Sequence, residues 1–226
     1  MATNMMLSFL ADLRDNNSLE WMHANETRKK EAQQEFLTLV QGCIDDLAEY
    51  GETVSHLNPK DLVFRINRDT RFSNDKSPYN PTFRAHISPA GRAPVPTGLF
   101  ISISPSGSFA GGGLFAPRFR EATKLVRDAI AADPATFLAL VNNDEFARRF
   151  TFVGKPLKRV PHGFDEQSPA AEYLKCTCWS IEEPIPDDVV EDETALSKRL
   201  IGSFACMRAF NTYLNQALEG FEMPRR

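Results

Sequence analysis

A dense group of guanidinium side chains marks residues 64–81 of this sequence, FRINRDTRFSNDKSPYNP. Guanidinium groups present a planar fork of donors that pairs in a bidentate manner with a carboxylate or a phosphate. The segment therefore predicts a site for a small anionic, phosphate-bearing ligand. The cations would contact that ligand, and the aspartates among them would orient the cations. The candidate ligand-binding residues of this arginine segment are Arg65, Arg68, Asp69, Arg71, Asp75, Lys76 and Tyr79.

The flanking residues increase the local positive charge. From Lys60 to Arg92 the sequence contains seven Lys or Arg residues and three Asp residues, a surplus of four, on a chain whose net charge is -4. Such a surplus attracts anions. The acidic net charge argues against a general nucleic-acid binder but leaves a local contact open. In that case Phe72 and Tyr79 could stack on bases, although aromatic side chains at this spacing more often fill a core.

The same residues also fit a structural interpretation. Arg68 and Arg71 could each pair with Asp69 or Asp75 and hold the loop without any ligand. The protein would then be a non-enzymatic interaction module, and the segment would be a salt-bridge clasp. The two interpretations differ in whether the cationic groups are free or already paired.

Three consecutive glycines, Gly111, Gly112 and Gly113, are a weaker candidate part of the same site. Consecutive glycines can form a nest of backbone N–H groups that binds an anion. Their spacing, however, matches no nucleotide-binding loop. A bulge or a close backbone contact is the commoner reason for such glycines.

No residue pattern identifies a catalytic group, a metal site or a cofactor. The four histidines are isolated, Cys176-x-Cys178 is weak as a zinc pattern, and no nucleophile elbow is present. Whether the chain is an enzyme is therefore left open. A phosphoester or acyl-phosphate substrate would suit the arginines, with Asp69 or Asp75 as the acid–base candidates.

The arginine segment resembles the hallmark of a known family. FRINRDTRFSNDKSPYNPTF is similar to the F-R-x-x-R-D-x-R-F-s-x-D-K-s-P-Y motif of the domain of unknown function 2461 family, a group of uncharacterised proteins. The resemblance implies a single α+β domain and brings no activity, substrate or cofactor. The chain departs from the family pattern at NETRKK and at Asn80-Pro81. Further blocks resemble the family in the same order: FLADLRDNNSLEWM, FAGGGLFAP, LKRVPHGFD and LKCTCWSI.

Hydrophobic periodicity predicts the elements that position these residues. Five short runs are typical of strands: DLVFRI, FRAHIS, GLFISIS, GSFAGGGLF and EYLKCTCWSI. SPSG, residues 104–107, predicts a hairpin turn. Asp188 and Glu191 resemble a capping box at the start of the last helix. The predicted helices cover residues 7–14 and 19–25, a stretch through Phe36 that ends at Gly51, residues 118–132 and 134–142, and residues 188–218.

These elements predict an α+β fold with a central, mostly antiparallel sheet packed by N-terminal and C-terminal helices. We predict one domain over residues 1–226, with a helical part at 1–58, a sheet with inserted helices at 59–181 and a C-terminal helix at 182–226. The arginine segment would leave the strand LVFRI as an ordered loop, a common place for binding residues.

The composition also bounds the location of the protein. No apolar run approaches the roughly 18 residues that a membrane helix needs, so no membrane association is expected. The N-terminus does not resemble a signal peptide. With only four cysteines, we expect a cytoplasmic protein with reduced thiols. The sequence does not indicate an oligomeric state.

Overall fold

The computed structural model describes residues 4–71, 73–115 and 119–224. Its strands are β1 (Phe83–Ile87), β2 (Leu99–Ile103), β3 (Ser108–Leu114), β4 (Thr151–Val153) and β5 (Trp179–Ile185). Its helices are α1 (Met5–Asp15), α2 (Leu19–Ala24), α3 (Glu26–Glu49), α4 (Pro59–Leu62), α5 (Arg120–Ala132), α6 (Pro134–Val141), α7 (Asp144–Arg149), α8 (Ala171–Leu174), α9 (Asp187–Glu191) and α10 (Glu193–Ala217).

The strands form one antiparallel sheet in the order β1-β2-β3-β5-β4, with helices before and after it in the chain. This confirms the predicted α+β class. Between β4 and β5 the register places Thr151 opposite Glu182 and Val153 opposite Ser180. No helix in the described part of the chain is long and apolar enough to cross a membrane.

The chain forms two compact units. The first contains the residues up to Arg92 together with Phe100–Ala110 and Pro184–Gly202. The second contains Ala93–Leu99, Gly111–Glu183 and the residues from Ser203 onward. The whole arginine segment belongs to the first unit, whereas the three consecutive glycines belong to the second.

In the first unit, α1 and α3 pack against each other, and α3 also packs against β1. Phe9, Phe36 and Phe83 stack at the centre of this contact, with ring centroids 6.2 and 5.4 Å apart around Phe83. The apolar residues of α3 at helical spacing, Phe36 and Val40 among them, are buried. Gly51 follows the end of α3 with a φ of 86°, a conformation that favours glycine.

The second unit is built around α5 to α8 and the later part of α10. Phe137, Phe146, Phe152 and Phe210 form an aromatic core with centroid separations between 5.3 and 6.5 Å. As predicted, a helix starts at Asp133-Pro134, because the Asp133 side chain accepts a hydrogen bond from Thr136 N at 3.1 Å.

The prediction of a strand at DLVFRI was wrong. Pro59–Leu62 forms a short helix whose N-cap is Asn58, and proline is well suited to the first helical position. The residues that follow contribute only single bridges, Val63 with Ala85 and Asn67 with Tyr79. The predicted strands FRAHIS, GLFISIS and GSFAGGGLF are confirmed as β1, β2 and β3.

The predictions for the last third of the chain need two corrections. EYLKCTCWSI is not one strand, because its first residues form α8 and the strand begins only at Trp179. The long C-terminal helix is split at Asp192, whose side chain accepts a hydrogen bond from Ala195 N at 2.9 Å and so caps α10. Asp188 and Glu191 form no capping box, since the N-cap of α9 is Pro186.

Short elements were missed, namely α7 and β4. The predicted helix at residues 118–132 is observed as α5 from Arg120. Residue 118, where this helix was predicted to begin, lies outside the described residues.

Candidate functional site

The arginine segment is a loop that backbone hydrogen bonds close at its base. Arg68 N donates to Pro78 O at 2.9 Å, and Asn80 N donates to Ile66 O at 2.7 Å. Residues 66–68 therefore run beside residues 78–80, although neither stretch is a regular strand. The described residues between them form a loop whose two ends are held together by these bonds.

Tyr79 anchors the returning side of this loop. Its side chain is buried, which matches the commoner role of an aromatic residue as part of a core. Its backbone N donates to Asn17 Oδ1 at 3.1 Å, and its carbonyl accepts from Asn17 Nδ2 at 2.9 Å. Asn17 lies in the turn between α1 and α2, so the loop base is attached to the N-terminal helices. Phe72, the other aromatic residue proposed for stacking, lies outside the described residues.

Arg68 and Asp75 form an ion pair across the loop. The Arg68 side chain is only 22% exposed, and its Nη2 also lies 3.4 Å from Ser73 Oγ. The other oxygen of Asp75 accepts hydrogen bonds from Ser77 Oγ at 2.6 Å and Ser77 N at 2.9 Å. The Ser77 hydroxyl and then Arg68 hold the pKa of Asp75 well below its ordinary value.

Asp69 and Arg71 form a second, more exposed pair. Arg71 Nε and Nη2 donate to the two Asp69 oxygens at 2.9 and 2.6 Å, a bidentate arrangement. This pairing lowers the pKa of Asp69. The side chains of Arg71 and Asp69 are 77% and 57% exposed, respectively, so solvent screens the pair and its contribution to stability is small. Lys76 Nζ donates to Thr70 O at 2.9 Å.

Within the described residues, the remaining cations of the Lys60–Arg92 stretch make no ion pair. These cations are Lys60, Arg65, Arg84 and Arg92. Arg65 is exposed and makes no side-chain hydrogen bond with any described residue. Inside the loop the two ion pairs leave one positive charge, that of Lys76, while the other three charges of the surplus lie outside it.

Two of these cations lie over the ring of Phe64. The guanidinium carbons of Arg84 and Arg92 are 5.7 and 6.0 Å from its centroid. Arg92 Nη1 donates to Val63 O at 3.0 Å. Arg84 Nε is buried and has no hydrogen-bond partner among the described residues.

The ring of Phe64 begins a row of aromatic side chains in the first unit. Phe64 and Phe100 have centroids 6.0 Å apart, and Phe100 and Phe109 have centroids 5.9 Å apart with an interplanar angle of 19°. All three rings are partly exposed. We call these three rings with Arg84 and Arg92 the Phe64 surface. Sequence reasoning counted both arginines as flanking charge but did not place them on Phe64.

The three glycines lie in β3, where packing accounts for two of them. A side chain at Gly112 would collide with Met207 and with the Asn211 amide, and one at Gly113 would collide with Trp179 O. Gly113 also has a φ of 76°, and its N donates to Asn211 Oδ1 at 2.8 Å. The Gly113 N–H is thus already used by a side chain of the same unit, and Gly111 is buried.

The second unit contains a cationic cleft that sequence reasoning missed. It has a volume of about 260 Å³ and is lined by Lys158, Arg159, Val160, Glu166 and Lys175. Lys175 pairs with Glu172, whose oxygen lies 2.5 Å from its Nζ. The available signal was the LKR triplet in LKRVPHGFD.

The cysteines do not have the properties of activated nucleophiles. Cys43, Cys176, Cys178 and Cys206 are free thiols. Burial raises the pKa of Cys176 to about 11 and that of Cys43 to about 12. A reactive cysteine needs the opposite shift. Among the described residues, no group of three or more His, Cys, Asp and Glu side chains could hold a metal ion.

Comparison with known proteins identifies a family. The family model described as "Conserved hypothetical protein (DUF2461)" matches residues 5–213 of the 226-residue chain. Among the curated proteins and the solved structures, none matches this chain.

Proposed function

The chain belongs to the DUF2461 family of conserved hypothetical proteins, and since that description names no activity, we propose from its own residues that it binds a small anionic, phosphate-bearing ligand. One observation carries the proposal. Arg65, Arg84 and Arg92 make no ion pair with a described residue, although they flank a loop in which the aspartates are already paired. A phosphate group supplies the acceptors that such guanidinium groups pair with best.

In this proposal the loop cations have two different roles. Arg68 is held by Asp75 and largely shielded, so it maintains the loop shape. Arg71 is exposed, and solvent screens its pair with Asp69. The ligand contacts are therefore made by Arg65, Arg84 and Arg92, with Arg71 as an additional donor.

The proposal concerns binding, and the loop geometry gives little support to acid–base chemistry. The pKa values of both Asp69 and Asp75 are lowered, so both carboxylates are ionised and weakly basic at neutral pH. A general base works best when its pKa lies near the operating pH. Phosphoester turnover would therefore need a group other than these two.

A cytoplasmic location stays a prediction.

Thermal-shift measurements with phosphate, pyrophosphate and tripolyphosphate test the proposal. We expect stabilisation that increases with ligand charge and decreases with added salt. Arg84→Gln and Arg92→Gln should each weaken tripolyphosphate binding about tenfold or more, since a charge-assisted hydrogen bond contributes about 1.5–3 kcal/mol. Arg14→Gln is the matched control, because Arg14 is an exposed arginine of the same unit that pairs with Asp15 on α1.

Two outcomes would contradict the proposal. One is that none of the three anions stabilises the protein at low salt. The other is that binding survives both arginine substitutions but is lost in Arg159→Gln, which would place the anion in the cationic cleft of the second unit.

A second candidate function is a non-enzymatic interaction module in which the arginine segment is a clasp. The ion pairs Arg68–Asp75 and Arg71–Asp69 support it, together with the bond from Lys76 to Thr70 O. In that case Arg68→Ala should lower the melting temperature of the ligand-free protein. None of the three anions should raise the melting temperature of the wild-type protein. An unchanged melting temperature in Arg68→Ala would count against the clasp.

A further inference from the structure

The Phe64 surface combines flat apolar rings with cations in a way that a simple phosphate ion would not need. Phe100 and Phe109 come from neighbouring strands and are nearly parallel, at 19°. Phe64 continues the row beside Phe100. Neighbouring side chains of β2 alternate between two faces, and the residues next to Phe100, Leu99 and Ile101, are fully buried. The Phe100 ring therefore lies on the face of β2 opposite these buried side chains, and the rings of Phe64 and Phe109 pack beside it.

Exposed rings on a sheet are a common platform for bases, because every base has a π-face that stacks on an aromatic side chain. The cations stand at one end of the row, where Arg84 and Arg92 contact the ring of Phe64. A ligand with a flat ring at one end and a phosphate at the other would match this order. Stacking would occupy Phe100 and Phe109, and the phosphate would meet the two guanidinium groups.

The overall charge limits the size of such a ligand. A protein that follows a nucleic-acid strand usually carries a basic patch that neutralises many phosphates. This chain has a net charge of -4, and the Phe64 surface holds only two arginines. One to three phosphates on a single nucleoside fit this charge better than a polymer does.

We propose that the Phe64 surface binds a nucleoside phosphate, with the base on Phe100 and Phe109 and the phosphates at Arg84 and Arg92. This inference rests on the proposed function, because it assigns a ligand class to Arg84 and Arg92, two of the cations proposed there. It adds a contribution from the rings that a purely ionic site would not have.

Isothermal titration with ATP and with tripolyphosphate, both without divalent metal, separates the two contributions. The probes carry similar charge and differ by the nucleoside. We expect ATP to bind at least about tenfold more tightly than tripolyphosphate, since stacking of one base on aromatic side chains has an effect of this size. Phe100→Leu and Phe109→Leu should remove most of that difference while leaving tripolyphosphate binding unchanged.

Two controls keep the result interpretable if a leucine variant loses stability. Phe100→Tyr keeps the ring and should keep the preference for ATP. Phe164→Leu removes another partly exposed ring that lies under an arginine, with Arg127 at 5.8 Å, but in the second unit, and should leave both affinities unchanged. Circular dichroism of each variant checks that it is folded at the titration temperature.

The possible outcomes distinguish this inference from the proposed function. Equal binding of ATP and tripolyphosphate, or a preference for ATP that survives loss of both rings, overturns the nucleoside assignment and leaves anion binding in place. A preference that Phe164→Leu removes overturns the location. If neither ATP nor tripolyphosphate binds, the proposed function and the nucleoside assignment are both overturned.

Discussion

Replacement of Glu183 by glutamine should strongly destabilise the second unit. The Glu183 carboxylate is 6% exposed and accepts hydrogen bonds from Arg149 Nε at 3.1 Å and from Ser203 Oγ at 2.6 Å. Arg149 Nη2 lies 3.0 Å from the same carboxylate, and the Arg149 side chain is 22% exposed. Glu183→Gln removes the negative charge while Arg149 remains largely shielded from water. Breaking a buried pair by removing one partner costs about 3–5 kcal/mol.

We expect a loss near the lower end, about 3 kcal/mol, because Arg149 keeps a partner, Glu145, at 3.3 Å. For a chain of this length, a loss of about 1 kcal/mol in the free energy of unfolding lowers the melting temperature by roughly 2–4 °C. The melting temperature of Glu183→Gln should therefore fall by about 6–12 °C. Denaturation followed by circular dichroism measures it. A double variant, Arg149→Met with Glu183→Leu, should be less destabilised than the sum of the single variants Arg149→Met and Glu183→Leu.

Glu182 provides a matched control on the same strand. It has no ion pair within the described residues, and burial raises its pKa. A carboxyl whose pKa is raised on folding adds stability at low pH that is lost as the pH rises through the folded pKa. Glu182→Gln should therefore be neutral or slightly stabilising at pH 7. A loss below about 1 kcal/mol in Glu183→Gln, or an equal loss in both variants, would refute the assignment of a stabilising buried pair.

Three further results are expected. Gly112→Ala should cost about 1–3 kcal/mol by overpacking against α10, whereas Gly107→Ala, where the nearest atom is 4.0 Å away, should cost much less in the same denaturation assay. In an NMR titration Asp75 should have a pKa below 3.8. Ser77→Ala should raise that pKa, because the Ser77 hydroxyl is the largest cause of the shift. The stability that Asp75 contributes is then present above pH 3.8 and is lost as the pH falls through the pKa of Asp75 in the folded protein. Cys176 should react slowly with a disulfide reagent at pH 8, since its pKa is about 11; reaction at the rate of a free thiol would contradict the burial.

The fold was largely predictable where a pattern is local. The apolar stripe of α3 and the alternation in β1 and β2 identify their own secondary structure, because each element buries one face along its length. The turn Ser104–Gly107 was also readable, and Gly107 N indeed donates to Ser104 O at 3.0 Å.

The misses share a different cause. β4 has three residues, too few to show a period, and it is defined by its pairing with β5. The segment after α4 has the composition of a strand but makes only single bridges. Its hydrogen bonds depend on partners from β1 and from the returning side of the loop, and composition alone does not show these partners. Asp192 caps α10 within an acidic run in which several other residues could have been the cap.

The candidate site was predictable in composition but not in arrangement. The arginine segment was located from sequence, and the possible pairing of its arginines with Asp69 and Asp75 was stated as one of two alternatives. The contacts of Arg84 and Arg92 with Phe64 join residues 20 and 28 positions apart, and Phe109 comes from another strand. Such contacts depend on the tertiary arrangement of segments that are distant in sequence, which no local pattern reveals.

Titration of tripolyphosphate into the Arg84→Gln, Arg92→Gln variant, the wild-type protein and Arg14→Gln tests the central claim most directly. If unpaired arginines beside the arginine segment bind anionic ligands, the double variant loses binding by about a hundredfold or more, from two contacts of about 1.5–3 kcal/mol each. Arg14→Gln then binds like wild type. Equal affinity in all three proteins, or no binding to the wild type at low salt, would contradict the claim.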